Sequence, residues 1–404
     1  MTTPTSKEES GISPLIALLS IVFINMVGFG VVIPLLPFFA RSLDAAEWQV
    51  TLLFAVFSLG QFFAEPFFGR LSDRIGRKPV LVMTMVASTV GYAALALAPS
   101  IWIAIAIRLM NGFGAGNIST VQAYIADVTP PQRRAGRMGL IGAAFGLGFI
   151  IGPGMGGVLA KLGEGRLAFQ LPLFAAALLS GLAALGVIVL VRESRTHAPP
   201  NEPPWTALGD AAANPVISRV LLVSIIYMAG FSAMEACFGL WTEQRFGWGA
   251  PEVGWCFTAV GIVAAVTQGL FTGRLASRFG EARMLVFGVL LFGAMLFLQT
   301  LNFVDLMVPV LMALGAFGMS NAMPNIASII SRSSPPGRQG SMLGLNMAAS
   351  AGARVIGPIF AGFIYSYAGH NWPFWVGAAM TVPAAAVAMN AGRLMRDAKS
   401  SPAF

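Results

Sequence analysis

The chain has 404 residues, of which 56% are apolar and only 10% are charged, with a formal net charge of +8. Long uncharged runs between short loops leave no polar face for water, which excludes a soluble globular fold and indicates membrane-spanning helices. The cations are spread over separate loops and form no single basic face, which argues against nucleic-acid binding.

A membrane span needs roughly 20 apolar residues. Twelve runs of about this length are found, and they predict an all-α membrane protein. The predicted spans cover residues 13–38, 48–68, 79–98, 101–124, 137–161, 169–191, 218–242, 252–271, 282–300, 303–330, 340–366 and 373–392.

Most Lys and Arg residues fall in the loops on one side of these spans. The other side holds Arg41, Lys161, Arg166 and Arg245. The positive-inside rule then predicts that both termini are cytoplasmic, in a bacterial-type inner (plasma) membrane. The first apolar run is too long for a cleavable signal peptide and no small-residue cleavage site follows it.

The loop after span 2 reads Gly69-Arg70-Leu71-Ser72-Asp73-Arg74-Ile75-Gly76-Arg77-Lys78-Pro79 and is called the latch loop below. Its glycines permit a tight turn and close helix approach. Asp73 is an acid among four cations, and Asp127, at the end of span 4, is the expected partner of Arg77. The loop is therefore predicted to act as a latch, which holds the cytoplasmic side closed while the outer side is open. The alternative is that its cations only set the topology. The predicted members of the latch are Gly69, Asp73, Arg74, Gly76, Arg77 and Asp127.

Spans 4 and 5 carry the next unusual patterns. Arg108 lies inside span 4, where an arginine costs several kcal/mol unless it is paired, hydrated or able to reach the interface. Span 5 places glycines at a spacing that makes a smooth groove for close helix packing, and its proline removes a backbone hydrogen bond. These span-5 residues are Gly142, Gly146, Gly148, Gly152, Pro153, Gly156 and Gly157.

Residues 192–217 contain Pro199, Pro200, Pro203 and Pro204 among scattered charges, which is typical of a linker. The predicted domains are thus 1–191, a six-helix bundle, 192–217, a cytoplasmic linker, and 218–404, a second six-helix bundle.

The two halves resemble each other at a constant offset. Residues 69–76 match 273–280 at 204 residues, and Gly152-Pro153 matches Gly357-Pro358 at 205. Such repeats predict two bundles that face each other and alternately expose a site near the midplane. In the second half, Ser277 replaces Asp73 and Arg332 replaces Asp127, so the second latch is expected to be degenerate.

Glu235 lies deep in span 7 and Arg354 lies near mid-depth in span 11. A carboxyl group in that setting could bind and release a proton as access alternates, and Arg354 could pair with it or with an anionic substrate. Glu235, Arg108 and Arg354 are therefore the proton-coupling candidates. The alternative for Glu235 is a structural ion pair or an outward-facing acid.

Several polar or large residues within spans could line a substrate cavity, although core packing is the more common role of Met and aromatic residues. These candidates are Asn25, Gln61, Gln122, Met234, Trp241, Gln268, Asn321, Asn325 and Asn346. Cys237 and Cys256 lack metal-ligand spacing and no nucleophile–base pair is recognisable, so no metal, cofactor or enzymatic activity is expected.

The latch loop closely resembles the signature loop of the major facilitator superfamily. Arg108 with Gly112, Gly114 and Gly116 resembles the superfamily's span-4 arginine motif, which is associated with proton handling. Gly148, Gly152, Pro153, Gly156 and Gly157 resemble the antiporter motif of its exporters. Along nearly the whole chain, clearest at residues 28–37, 145–148 and 242–248, the sequence is similar to the tetracycline exporter group of drug–proton antiporters.

This resemblance implies the major facilitator fold and efflux of amphipathic compounds, including drugs, in exchange for protons. Asp73, Arg77, Arg108, Asp127, Gln61 and Gly152-Pro153 match the family pattern. Tetracycline exporters also place acids in spans 1, 3 and 9, where this chain has Asn25, Gly91 and Phe292, and a span-8 His where it has Ala264. The chain thus lacks much of that group's proton chemistry, and tetracycline itself is left open as the cargo.

Proton-coupled export of small amphipathic compounds by alternating access is the leading hypothesis, with the proton gradient as energy source. The alternative is an uncoupled facilitator or an uptake transporter of a metabolite on the same fold, and a third is a non-transporting receptor or scaffold. The expected partners are a small-molecule substrate, protons and the lipid bilayer, and the expected assembly is a monomer.

Overall fold

A computed structural model describes residues 14–129, 131–194, 204–335 and 338–400. All regular secondary structure in these ranges is helical. The linker residues Pro199, Pro200, Pro203 and His197 lie outside the described residues, as does the predicted start of span 1 at residue 13.

Within residues 14–129 and 131–194, the first half contains eight helices. They are α1 (Pro14–Val32), α2 (Leu36–Arg41), α3 (Glu47–Ile75), α4 (Arg77–Ala96), α5 (Ile101–Gly114), α6 (Ile118–Asp127), α7 (Pro131–Lys161) and α8 (Leu167–Leu190). Pro34 explains why α1 ends early, because proline restricts the residue before it and cannot donate a helical hydrogen bond. Pro37 then lies at the start of α2, where a missing N–H costs nothing.

The second half follows a short helix, α9 (Pro204–Ala213). The helices of the second half are α10 (Pro215–Phe246), α11 (Ala250–Val266), α12 (Thr272–Phe279), α13 (Glu281–Leu301), α14 (Met307–Ser333), α15 (Gln339–Ala368) and α16 (Trp372–Ser400). A π-helical turn, Thr267–Phe271, joins α11 to α12. Part of the predicted linker is therefore folded: α9 packs against α10 and α15, and Asp210 forms an ion pair with Arg338.

Eleven of the described helical segments are long and apolar enough to cross a membrane, and a shorter apolar helix covers Leu18–Val32. The α5–α6 pair acts as one segment, Ile101–Asp127, and α11 with α12 forms another, Ala250–Phe279. Together they confirm the predicted all-α membrane fold.

The same packing partners recur in both halves. Helix α1 packs on α7 and α8, and its counterpart α10 packs on α15 and α16. Likewise α4 packs on α8 as α13 packs on α16, and α3 packs on α5 as α11 packs on α14. The halves meet through two extensive contacts, α7 with α11 and α3 with α15.

The two halves are in close contact at the helix ends remote from the arginine-bearing loops. This end of the molecule is named the arginine-poor side. There a Cβ atom on Gly254 would lie 2.5 Å from the Pro153 carbonyl oxygen, and one on Gly157 would lie 3.0 Å from Pro251 Cα. Toward the arginine-rich side, a Cβ on Gly146 or Gly344 would meet no described atom within 4 Å. The halves are therefore closed on the arginine-poor side and separated on the arginine-rich side.

Candidate functional site

The three predicted proton-coupling residues meet in the middle of the molecule. Arg108 of α5, Glu235 of α10 and Arg354 of α15 line one cavity of about 10 Å³ together with Phe57 and Ser58 of α3. That volume holds at most about one water molecule. The site therefore draws side chains from both halves and is nearly closed in this state.

Close helix packing positions these side chains. Gly60 lets α5 approach the backbone of α3, since a Cβ there would lie 2.7 Å from the amide nitrogen of Phe113. The Arg108 guanidinium then lies over the Phe57 ring, 4.2 Å from its centroid, in a cation–π contact. In the other half, Gly357 packs against the Ala229 backbone and brings α15 onto α10.

Much of the hydrogen-bonding capacity of this cluster is unused. Arg108 and Glu235 are 2% and 5% exposed. Arg108 Nε and Nη1, Glu235 Oε1 and Arg354 Nε are buried without a hydrogen-bond partner among the described residues. Unpaired polar atoms at such depth are expensive and mark functional positions in membrane proteins. The arrangement can exchange a proton or a polar ligand group.

Glu65 belongs to the same electrostatic network, which the sequence did not indicate. Arg354, which lies in the opposite half, acts electrostatically on the Glu65 carboxyl group. Arg354 thus interacts with Glu65 and with Glu235, while Arg108 interacts with Glu235.

The predicted cavity-lining residues are dispersed. Asn25 lines a separate small cavity with Asn117 and Phe145, Gln61 and Gln122 are half-buried on α3 and α6, and Gln268 is exposed in the π-helical turn. The asparagines of α14 and α15 are buried, and Asn321 Oδ1 and Asn346 Oδ1 have no described hydrogen-bond partner. Asn325 donates to the Asn321 carbonyl at 2.6 Å. These positions do not form one continuous wall here, and their role remains a prediction.

Met234 and Trp241 lie in the apolar core of the second half. Trp241 is 1% exposed, stacks near Phe374 and donates its indole N–H to Asn371 at 2.8 Å. These contacts account for Trp241 as a packing residue in this state.

The latch loop folds around Arg77, which is 4% exposed. Its Nε donates to Asp127 Oδ2 at 3.1 Å and its Nη1 donates to Asp73 Oδ1 at 2.6 Å and to Ser72 Oγ at 2.7 Å. Asp127 also accepts from the hydroxyl of Ser194 at 3.3 Å. Ser72, Asp73 and Asp127 lie in the first half and Ser194 follows its last helix, so in this state the described contacts of the cluster join α3, α4 and α6 and do not reach the second half.

The sequence analysis missed Glu193 as a member of this cluster. Its carboxylate accepts hydrogen bonds from the backbone N–H groups of Arg77 at 2.8 Å and Lys78 at 3.2 Å, at the start of α4. Gly76 makes this possible because its φ of +107° favours glycine and because a Cβ would collide with the Glu193 carboxylate. Gly69 faces Ser119 at ordinary contact distance, and Arg74 also has interaction partners.

The glycine-rich helix α7 serves two interfaces. A Cβ at Gly152 would lie 2.7 Å from Gly30 Cα, and Gly148 and Gly156 likewise face the α1 backbone. On its other face, the Pro153 carbonyl and Gly157 contact α11 of the second half. The motif therefore packs α7 against its own bundle and against the opposite one.

The second latch lacks the two acids of the first, Ser277 and Arg332 standing in their places, and a charge-reversed ion pair is found there instead. Glu281 stands at the position equivalent to Arg77, and its Oε1 lies 3.3 Å from Arg332 Nε. Ser328 donates to the same oxygen at 2.7 Å. The 204-residue offset places Glu281 on Arg77, so this pair could have been found from the sequence.

Within the described ranges, no group of three or more His, Cys, Asp or Glu side chains is arranged to hold a metal ion. Cys237 and Cys256 are buried free thiols.

Comparisons with known proteins agree with this architecture. The family model described as "Major Facilitator Superfamily" matches residues 18–250 and 220–403. The chain is 31% identical over 371 residues to the class C tetracycline resistance protein of Escherichia coli, covering 89% of this chain and 91% of that protein. It is 28% identical over 376 residues to multidrug resistance protein 1 of Bacillus subtilis strain 168, with coverages of 90% and 94%.

Among solved structures, the fold matches a bacterial homologue of the human lysosomal transporter Spinster. The TM-score is 0.81 at 16% identity, over 97% of this chain and 100% of that one. Twelve apolar helical segments, two repeated bundles and a family model spanning nearly the whole chain point to the same conclusion. The protein is a multi-pass membrane protein that belongs to the Major Facilitator Superfamily of transporters.

Proposed function

We propose that this transporter exports small amphipathic compounds in exchange for protons, by alternating access. The observation that carries the proposal is Glu235, a buried carboxyl between Arg108 and Arg354 at the junction of the halves. The names of the relatives, tetracycline and multidrug resistance proteins, support export of drug-like compounds. The distribution of cations supports a bacterial-type inner membrane with cytoplasmic termini.

In proton-coupled exchange, the proton and the cargo must compete for one site, so that binding of one prevents binding of the other. Glu235 meets this requirement when the cargo presents a cationic or hydrogen-bond-donor group to its carboxylate, because protonation of Glu235 removes the acceptor charge. A purely anionic cargo would instead bind best when Glu235 is protonated, which gives cotransport. The proposed cargo therefore carries a donor group on an apolar body. One chain supplies the whole site, so a monomer suffices and no cofactor is required.

Ethidium, a fluorescent amphipathic cation, tests the proposal in proteoliposomes with an acidic lumen. Wild-type protein should accumulate ethidium as protons leave, and Glu235→Gln should abolish this pH-driven accumulation because the amide cannot titrate. Glu164→Gln, at an exposed loop position, is the matched control and should retain wild-type flux. Unchanged pH-driven flux in Glu235→Gln would refute Glu235 as the coupling site.

An uncoupled facilitator or uptake transporter is the second candidate. It is favoured by Asn25, Gly91 and Phe292 at the positions where tetracycline exporters have acids, because these side chains cannot titrate. Collapsing the pH gradient with an ionophore distinguishes the two functions. A facilitator would still equilibrate its substrate, whereas the exchanger would stop concentrating it.

A further inference from the structure

The second half contains a large cavity on the arginine-rich side, whose lining includes none of Arg108, Glu235 and Arg354. Its volume is about 1090 Å³ and it lies between the ends of α12, α13, α14 and α16. Five arginines from these four helices line it: Arg278, Arg283, Arg332, Arg393 and Arg396. Topology requires cations in these loops, but it does not require them to converge on one cavity.

The charge of this cavity is poorly balanced by the protein. Glu281 is the acidic residue in its lining, and that carboxylate is already engaged by Arg332 and Ser328. The lining therefore carries five arginines against this one carboxylate. The cavity is therefore strongly cationic and has room for an anion.

The first half shows what occupies the equivalent place there. Glu193 accepts from the N–H groups of Arg77 and Lys78 at the start of α4. The equivalent N–H groups belong to Glu281 and Ala282 at the start of α13, where no side chain caps the helix. A Cβ on Gly280 would meet no described atom within 4 Å, whereas one on Gly76 would collide with Glu193. Asp397, which the 204-residue offset matches to Glu193, is exposed and is not part of the cavity lining.

Apolar side chains complete the lining. Phe279, Val286, Met389 and Met395 lie beside the arginines. An anion that fits both features has a charged phosphate head and an apolar tail. Helix N-termini and arginine forks both favour phosphate oxygens.

We propose that this cavity binds the headgroup phosphate of an anionic phospholipid of the adjacent leaflet. The phosphate takes the place that Glu193 fills in the first half, between the start of α13 and the arginines of α16. The acyl chains lie against the apolar side chains of the lining. The inference is independent of the transported cargo and of Glu235.

Native mass spectrometry of the delipidated full-length protein tests this proposal. Wild type should retain phosphatidylglycerol in preference to phosphatidylcholine. Arg393→Gln combined with Arg396→Gln should weaken phosphatidylglycerol binding about 30-fold, since each arginine near an anionic headgroup contributes about 1 kcal/mol. The matched control is Arg219→Gln with Arg274→Gln, which removes two exposed cations of the same side that bond to their own helices.

Two further measurements test the assignment: lipid binding to the control variant, and competition between phosphatidylglycerol and soluble phosphates. Equal loss in the control pair, or equal binding of the two lipids to wild type, would overturn the proposal, because binding would then reflect general surface charge. Displacement of phosphatidylglycerol by millimolar inorganic phosphate or glycerol 3-phosphate would overturn the lipid assignment and identify a site for soluble phosphates. Size-exclusion profiles and thermal midpoints of the variants establish that each protein is folded.

Discussion

Arg77 and Glu281 occupy equivalent positions in the two halves but carry opposite charges and have different surroundings. Arg77 is buried among Ser72, Asp73 and Asp127, whereas Arg332, the partner of Glu281, has a side chain that is 65% exposed. Breaking a buried pair leaves an uncompensated charge, while an exposed pair contributes at most about 1 kcal/mol. The packing of α3, α4 and α6 therefore depends on the Arg77 cluster far more than the second half depends on its reversed pair.

The substitution Gly76→Ala tests whether the Glu193 carboxylate caps the start of α4. The new Cβ would be strained at a φ of +107° and would push Glu193 away from the N–H groups of Arg77 and Lys78. The control is Gly280→Ala, which has a φ of +91° and open space. Both variants should lose about 1–3 kcal/mol from backbone strain. Gly76→Ala should lose about 2 kcal/mol more, since charge-assisted hydrogen bonds are broken. Thermal midpoints in detergent measure the difference, and equal shifts would contradict the capping role of Glu193.

At the scale of helices, hydropathy located the spans well because a lipid-exposed helix must be apolar along its length. It could not locate interruptions that depend on local backbone chemistry. Pro34 explains the break after α1, and the Ala115–Asn117 segment breaks span 4 between α5 and α6. At the π-helical turn Thr267–Phe271, the Thr272 hydroxyl donates to the Thr267 carbonyl at 3.1 Å and to the Ser320 carbonyl of another helix, a tertiary contact that the sequence does not reveal.

The sequence indicated Arg108, Glu235 and Arg354 one at a time, since an ionisable residue inside a span is unusual by itself. It could not show that they share one cavity, because their convergence depends on how α5, α10 and α15 pack. The link between Glu65 and Arg354 was missed for the same reason: these residues are far apart in the chain and lie in opposite halves. Glu193 was missed because a carboxylate just after a span looks like an ordinary loop residue.

The α1–α7 contact provides a prediction at the helix scale. Gly152→Ala places a methyl group 2.7 Å from Gly30 Cα and from the Val27 carbonyl oxygen, both of which are backbone atoms. Overpacking of this kind costs about 1–3 kcal/mol. Gly146→Ala, on the same helix but in open space, should be neutral or slightly stabilising, since alanine favours helix more than glycine. A thermal midpoint for Gly152→Ala equal to that of Gly146→Ala would show that this close approach is unimportant.

At the scale of the whole molecule, the closed arginine-poor side is held by contacts that must break for access to alternate. Trp48 stacks on Phe363 with ring centroids 6.4 Å apart, and Arg41 Nε lies 3.8 Å from Glu243 Oε2. These pairs join opposite halves, whereas the Arg77 cluster lies within one half. If the protein is an exporter, the Trp48–Phe363 and Arg41–Glu243 pairs should separate when the arginine-poor side opens. The Arg77 cluster should then stay intact or gain partners from the other half.

A disulfide across the arginine-poor side tests this movement directly. A Cβ on Gly362 would lie 3.1 Å from Thr51 Cβ, slightly closer than the separation of about 3.5–4.5 Å in disulfides, so Thr51→Cys with Gly362→Cys should cross-link on oxidation after a small outward shift of the two helices. Because Thr51 lies on α3 and Gly362 on α15, the bond would hold the halves in the present state and stop ethidium accumulation in proteoliposomes. Reduction should restore transport, and the variants with only Thr51→Cys or only Gly362→Cys should transport under both conditions, because the native Cys237 and Cys256 are buried. Full activity of the oxidised double variant, with cross-linking verified by mass spectrometry, would mean that these helix ends do not separate during transport, and that the halves do not open on this side.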